Sequence, residues 1–106
     1  MQYRRLKKNG DFTKLFKKGE RVFSPALTVI YTPSSSGTVM GIALSKKHGK
    51  AVVRNRIKRL IRAAFNANAD KLSTSFSMVI MPKIAQEYSY KNIEKSLISC
   101  FKRMQK

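Results

Sequence analysis

Residues 45–65 read Ser-Lys-Lys-His-Gly-Lys-Ala-Val-Val-Arg-Asn-Arg-Ile-Lys-Arg-Leu-Ile-Arg-Ala-Ala-Phe. One short segment carries two sets of side chains that need different surroundings. Val53, Ile57, Leu60, Ile61, Ala64 and Phe65 recur at helical spacing and require a protein core. At about 100° per residue, Asn55, Lys58, Arg59 and Arg62 fall on the opposite side, with Arg54 and Arg56 on the two flanks. A strand, with its period of two, would mix the sets; a helix over about 50–66 separates them. The chain must therefore bury one side of this helix and leave a cationic side in water.

The cations are not balanced elsewhere. Twenty-three Lys and Arg face five Asp and Glu, giving the 106 residues a formal charge of +18. That charge raises repulsion within the folded state, and a polyanion relieves it. Nucleic acid is the commonest polyanion open to a small basic domain. Arg prevails on the exposed helix side, and Arg grips phosphate with two parallel hydrogen bonds where Lys acts as a point charge. Between two guanidiniums, the Asn55 amide both donates and accepts, which suits base edges. A membrane surface is the competing polyanion. No apolar run follows the basic N-terminus, so a signal peptide is not expected, and no stretch approaches the roughly 18 apolar residues of a spanning helix. The reading is a cytoplasmic protein with no membrane partner.

The length implies one domain, residues 1–106, with residues 1–8 as a flexible basic arm. Asn9 is placed to cap a helix over about 10–18, with Asp11 in its first turn and Gly19 as its stop. Phe12, Leu15 and Phe16 share a face of that helix. A strand follows at about 27–32, with Leu27, Val29 and Tyr31 pointing one way and Thr28, Ile30 and Thr32 the other. Pro33-Ser34-Ser35-Ser36-Gly37 is a turn, and a second strand at about 38–44 is expected to form a hairpin with the first. Gly41 weakens that strand or marks a close approach. After the basic helix come a strand at about 76–81, ended by Pro82, and a helix at about 89–104. The order α-β-β-α-β-α makes this a single α+β domain with a small mixed sheet.

Catalytic groups are sparse. Asp11, Glu20, Asp70, Glu87 and Glu94 are scattered and form no evident pair. His48 is the only histidine and has no acidic neighbour in sequence, so a solvated or RNA-facing imidazole is expected rather than a general base. No metal-ligand spacing exists, and the phosphate-cradling Gly-x-x-x-x-Gly-Lys-[Ser/Thr] pattern is absent. Cys100, the single cysteine, reads as a buried, inert thiol. No catalytic residue is assigned to this chain.

Ser45-Lys46-Lys47, Gly49-Lys50-Ala51-Val52 and Arg54-Asn55-Arg56-Ile57-Lys58-Arg59 together resemble the signature of the protein subunit of bacterial ribonuclease P. Leu6-Lys7-Lys8-Asn9, Asp11-Phe12, Phe16, the strand ending in Tyr31 and the final amphipathic helix extend the resemblance over essentially the whole chain. It implies a left-handed strand-helix-strand crossover around the basic helix, against the usual right-handed rule. It implies that the partners are ribonuclease P RNA and the 5′ leader of precursor tRNA. The RNA would perform the hydrolysis with bound Mg2+, and the protein chain would bind no cofactor or metal and act as a monomer within the particle.

By the same resemblance, Lys46, Lys47, Lys50, Arg54, Asn55 and Arg56 face the catalytic RNA, as do Lys58, Arg59 and Arg62. Phe12, Phe16 and Tyr31 would line a cleft for the single-stranded leader, where unpaired bases stack on aromatic rings with little regard to sequence. Core packing is the competing reading for Phe12 and Phe16. Thr28 departs from the family pattern, which often has a bulkier residue there. The alternative function is a general RNA-binding protein, such as a ribosomal protein or RNA chaperone, with no role in tRNA cleavage.

Overall fold

The computed structural model describes residues 3–6, 9–35, 37–85 and 87–105. Its strands are β1 (Arg4–Arg5), β2 (Glu20–Phe23), β3 (Leu27–Pro33), β4 (Val39–Ile42) and β5 (Phe76–Pro82), and its helices are α1 (Asn9–Lys18), α2 (Ala51–Asn68) and α3 (Tyr90–Met104). A single mixed sheet runs in the order β1-β4-β5-β3-β2. The expected α+β class holds, and the sheet gains two strands that the sequence pattern did not reveal.

The expected hairpin between the strands at 27–32 and 38–44 does not form. β5 lies between them, antiparallel to β3 from Leu27↔Pro82 to Pro33↔Phe76 and parallel to β4 from Val39↔Ser77 to Ile42↔Ile80. The physical reason lies in β3 and β5, which are largely buried on both faces. Such strands belong in the middle of a sheet, paired on both edges. A β3–β4 hairpin would have left β5 at an edge. β3 instead pairs with β2 through a tight connection, in register from Glu20↔Tyr31 to Phe23↔Thr28. The parallel β4–β5 pair is joined through α2, which supplies the crossover that parallel strands require.

The N-terminal segment is likewise not the free arm expected. Arg4 and Arg5 pair in parallel with Val39 and Met40. The Tyr3 ring meets Phe65 edge-on at 4.7 Å, and Phe65 in turn meets Phe101 at 5.8 Å. Aromatic burial fixes this end of the chain against the core. Met1, Gln2, Lys7 and Lys8 of the expected arm lie outside the described residues, as do the side chains of Asn9 and Asp11.

The sheet separates two apolar layers. On one face Leu27, Val29, Met78 and Ile80 pack against Ile57, Ile61 and Phe65 of α2 and against Ile93, Leu97 and Phe101 of α3. On the other, Leu15 of α1 packs on Ile30 and Val79, with Leu6, Phe12 and Met81 at the margin. Ser89 caps the start of α3, its Oγ accepting the Asn92 N–H at 3.2 Å.

Candidate nucleic-acid interface

The α2 helix buries most of its expected apolar stripe, although Val53 stays 38% exposed and Leu60 is half-buried. Ile57, Ile61, Ala64 and Phe65 are buried in the core, joined by Asn68. Asn55 and Arg59 stand fully outward. Arg54, Lys58 and Arg62, spaced four apart, run up one flank and are half-buried, while Arg56 is exposed on the other. No acid occupies α2, and among the described residues the Arg54 Nε, though shielded from solvent, has no hydrogen-bond partner. The helix thus presents a concentrated positive surface, which favours a phosphate-bearing partner.

Lys46, Lys47 and Lys50 are exposed on the connection between β4 and α2. His48 holds that connection in place. Its Nδ1 accepts the Ser45 N–H at 3.1 Å, and its Nε2 donates to the Pro82 carbonyl at 2.7 Å, at the end of β5. Acceptance at Nδ1 and donation at Nε2 specify the neutral tautomer with its proton on Nε2. The half-buried imidazole therefore braces the backbone, a role the sequence did not reveal. Both nitrogens are committed to the backbone, a role that depends on a strand end 34 residues away.

Between α1 and α2, at the β1–β4 edge of the sheet, lies a cavity of about 250 Å³. Phe12 lines it from α1, Lys58 and Arg62 from α2, and Arg5 from β1. Gly41 forms its floor for a steric reason: a Cβ there would sit 2.9 Å from the Phe12 Cζ and 2.9 Å from the Leu6 Cβ. The close-approach reading of Gly41 is the correct one. Another cavity, about 240 Å³, lies between α1 and the sheet, lined by Leu6, Lys14, Leu15, Lys18, Thr32 and Ser77. An aromatic ring beside guanidinium and ammonium groups can stack a base and hold its phosphate together. Arg5 was not singled out in the sequence, because its place depends on the long-range pairing of β1 with β4.

The three expected leader-binding aromatics do not converge. Phe12 lines the α1–α2 cavity, whereas Phe16 is 37% exposed on α1 outside that lining. Tyr31 is buried on the opposite face of the sheet, in the layer beneath α2 and α3. Its ring meets Phe76 edge-on at 5.6 Å and its hydroxyl donates to the Glu20 Oε2 at 2.9 Å. Burial first, then the Glu20 hydrogen bond, raises the Tyr31 phenol above its ordinary value. Thr28 is buried on β3, opposite Phe23 and Met81. Cys100 is buried in the main core, and burial is the main reason its thiol is raised. Among the described residues, no cluster of three or more His, Cys, Asp or Glu is placed to hold a metal ion.

Known proteins share this sequence pattern and this fold. The sequence model of the Ribonuclease P family matches residues 1–105. The chain belongs to the ribonuclease P protein family. It is 40% identical to the ribonuclease P protein component of Bacillus velezensis over 102 residues, covering 93% of this chain and 87% of that protein. A Staphylococcus aureus RNase P protein mutant with defective mRNA degradation activity superposes with a TM-score of 0.84 at 31% identity, over 95% of this chain and 87% of that one. The RNase P protein from Thermotoga maritima gives a TM-score of 0.84 at 26% identity, over 93% and 96%. As a ribonuclease P protein, the chain is a subunit of the ribonucleoprotein endoribonuclease of tRNA processing, and its partner is ribonuclease P RNA.

Proposed function

We propose that the outward side of α2, with Asn55 and Arg59, and the Lys46–Lys50 connection bind ribonuclease P RNA, while the groove of Phe12, Arg5, Lys58 and Arg62 takes the single-stranded 5′ leader of precursor tRNA. The observation that carries this division is the meeting of an α1 ring with two α2 cations over the Gly41 floor. Flat stacking on Phe12 tolerates any base, and leader sequences vary. Lys58 and Arg62 neutralise the phosphates on either side. Phe16, exposed further along α1, extends the path, whereas Tyr31 takes no part in it.

The chemistry is assigned to the RNA subunit and its Mg2+, and the protein chain acts by positioning. A protein acid–base pair would need two titrating groups at the groove, and His48 is already committed to Ser45 and Pro82. One protein copy serves one RNA, in the cytoplasm, where precursor tRNA is found. Among the described residues no helix is long and apolar enough to cross a membrane.

The test is reconstitution. The chain alone should leave precursor tRNA uncut; added to a compatible bacterial ribonuclease P RNA at low magnesium, it should stimulate leader removal. An Arg62→Gln variant should weaken leader-bearing substrate and leave leaderless tRNA unaffected. Failure to stimulate any compatible RNA would remove the functional reading. Equal losses on both substrates would remove the groove assignment. Leader removal by the isolated chain would return the chemistry to the protein.

A further inference from the structure

The two arginines of Arg54-Asn55-Arg56 are about 200° apart around α2 and therefore serve different surfaces. Arg54 lies on the ridge of Lys58 and Arg62, beside the Phe12 groove. Arg56 lies on the ridge of Val53 and Leu60 and opens onto a separate cavity of about 600 Å³, between α2 and the start of α3. That volume falls within the roughly 300–1,000 Å³ of small-ligand clefts. Tyr88 and Tyr90 line it opposite Arg56.

Both tyrosines are held by their hydroxyls. The Tyr90 hydroxyl donates to the Glu94 Oε2 at 3.0 Å, and the Tyr88 hydroxyl accepts the Ala85 N–H at 3.0 Å. Tyr88 also packs against the main core, whereas Tyr90 remains 37% exposed. The rings are thus fixed in advance, and ordering them costs a ligand little. A larger cavity of about 720 Å³ adjoins this one, sharing Glu87, Tyr88 and Ser89 and adding Lys83, Lys95 and the 58% exposed Ile84.

We propose that this α2–α3 groove is a second RNA site, in which an unpaired nucleotide of ribonuclease P RNA inserts its base beside Tyr88 and Tyr90 and leaves its phosphate on Arg56. Complementarity selects the occupant. Arg56 lines the groove, Lys83 and Lys95 line the adjoining cavity, and the tyrosine rings offer stacking surface to a base. Glu87 orders the insertion: its carboxylate repels phosphate, so the base goes inward, and it accepts a hydrogen bond from an exocyclic amine. The groove opens on the flank of α2 away from Phe12, which assigns it to the RNA subunit rather than to the leader. This inference rests on the assignment of α2 to ribonuclease P RNA.

The experiment measures the dissociation constant of the full chain for ribonuclease P RNA without substrate, and then the preference of the reconstituted holoenzyme for leader-bearing over leaderless tRNA. Tyr90→Ala and Arg56→Gln should each weaken RNA binding by about fivefold to tenfold. The double variant should fall short of the product of the two losses, because both groups hold one nucleotide. Leader preference should stay at the parent value. Arg56 is exposed and off the core, so its variant reports on binding even if Tyr90→Ala weakens folding. RNA affinity within twofold of the parent for Arg56→Gln overturns the proposal. So does a loss of leader preference with RNA affinity intact, which would give the groove to the leader. Failure of the parent protein to stimulate cleavage would count against the proposed function instead, and is scored separately.

Discussion

The His48 Nε2 donates to the Pro82 carbonyl at 2.7 Å, joining the entry of α2 to the exit of β5. The bond ties the connection that leads into the basic helix to the C-terminal end of the strand that follows it. The ring also terminates the Ser45 N–H, so one side chain fixes both the lysine-bearing connection and its distance from the sheet.

His48→Ala leaves the Ser45 N–H and the Pro82 carbonyl without their protein partner. A loss of about 1–2 kcal/mol is expected, seen as a lowered thermal midpoint. Leader removal by the reconstituted holoenzyme at low temperature should stay close to the parent rate, because the imidazole is a brace. A folded variant that no longer supports cleavage would show instead that His48 takes part in the reaction.

Gly41→Ala places a methyl group 2.9 Å from both Phe12 and Leu6. Overpacking of this kind costs about 1–3 kcal/mol. It should also push the Phe12 ring out of the groove, so preference for leader-bearing substrate falls along with the denaturation midpoint. Unchanged preference in a destabilised variant would show that the ring is packing alone.

Tyr31→Phe separates the two faces of the sheet. Removing the hydroxyl that donates to Glu20 should cost about 0.5–1.5 kcal/mol in chemical denaturation. Leader affinity should not change, since the ring lies beneath α2 and α3. A selective loss of leader binding would place Tyr31 back in the cleft.

Arg54→Ala and Arg59→Ala should each lower the slope of log affinity for ribonuclease P RNA against log salt by about one, the signature of a lost phosphate contact. Slopes equal to that of the parent would remove phosphate contact as the role of these residues.

Glu94 ties α3 to the end of α2. Its carboxylate is held below the ordinary value of 4.5 chiefly by the N–H donated from Asn68, and also by the Tyr90 hydroxyl and by Lys71, against the opposing effect of burial. A carboxylate lowered in the folded state adds stability that is complete above its unfolded value and lost as pH falls through the folded one. Thermal melts from neutral pH down through 4.5 should therefore show a loss that Glu94→Gln flattens. Parallel pH profiles for the two proteins would show that Glu94 adds no acid sensitivity.

Local patterns carried much of this protein. The α2 stripe, its outward Asn55 and Arg59, and the opposed flanks of Arg54 and Arg56 follow from residue spacing alone, because a helix advances by a fixed angle. The cap at Ser89 follows in the same way, from groups adjacent in the chain. The alternation of Tyr31 against Ile30 was also legible, since successive residues of a strand point to opposite faces.

Residue spacing set which side chains share a face, because that depends on neighbours a few bonds away. It did not determine what covers each face. β3 is buried on both sides, and nothing local says that α1 takes the Ile30 side and α2 and α3 the Tyr31 side. That β5 enters between β3 and β4, that Arg5 reaches the Phe12 groove and that His48 finds Pro82 emerge from the folded chain as a whole. Each of these joins residues far apart in the chain, and their pairing is settled by burying the whole apolar surface at once rather than by any one segment.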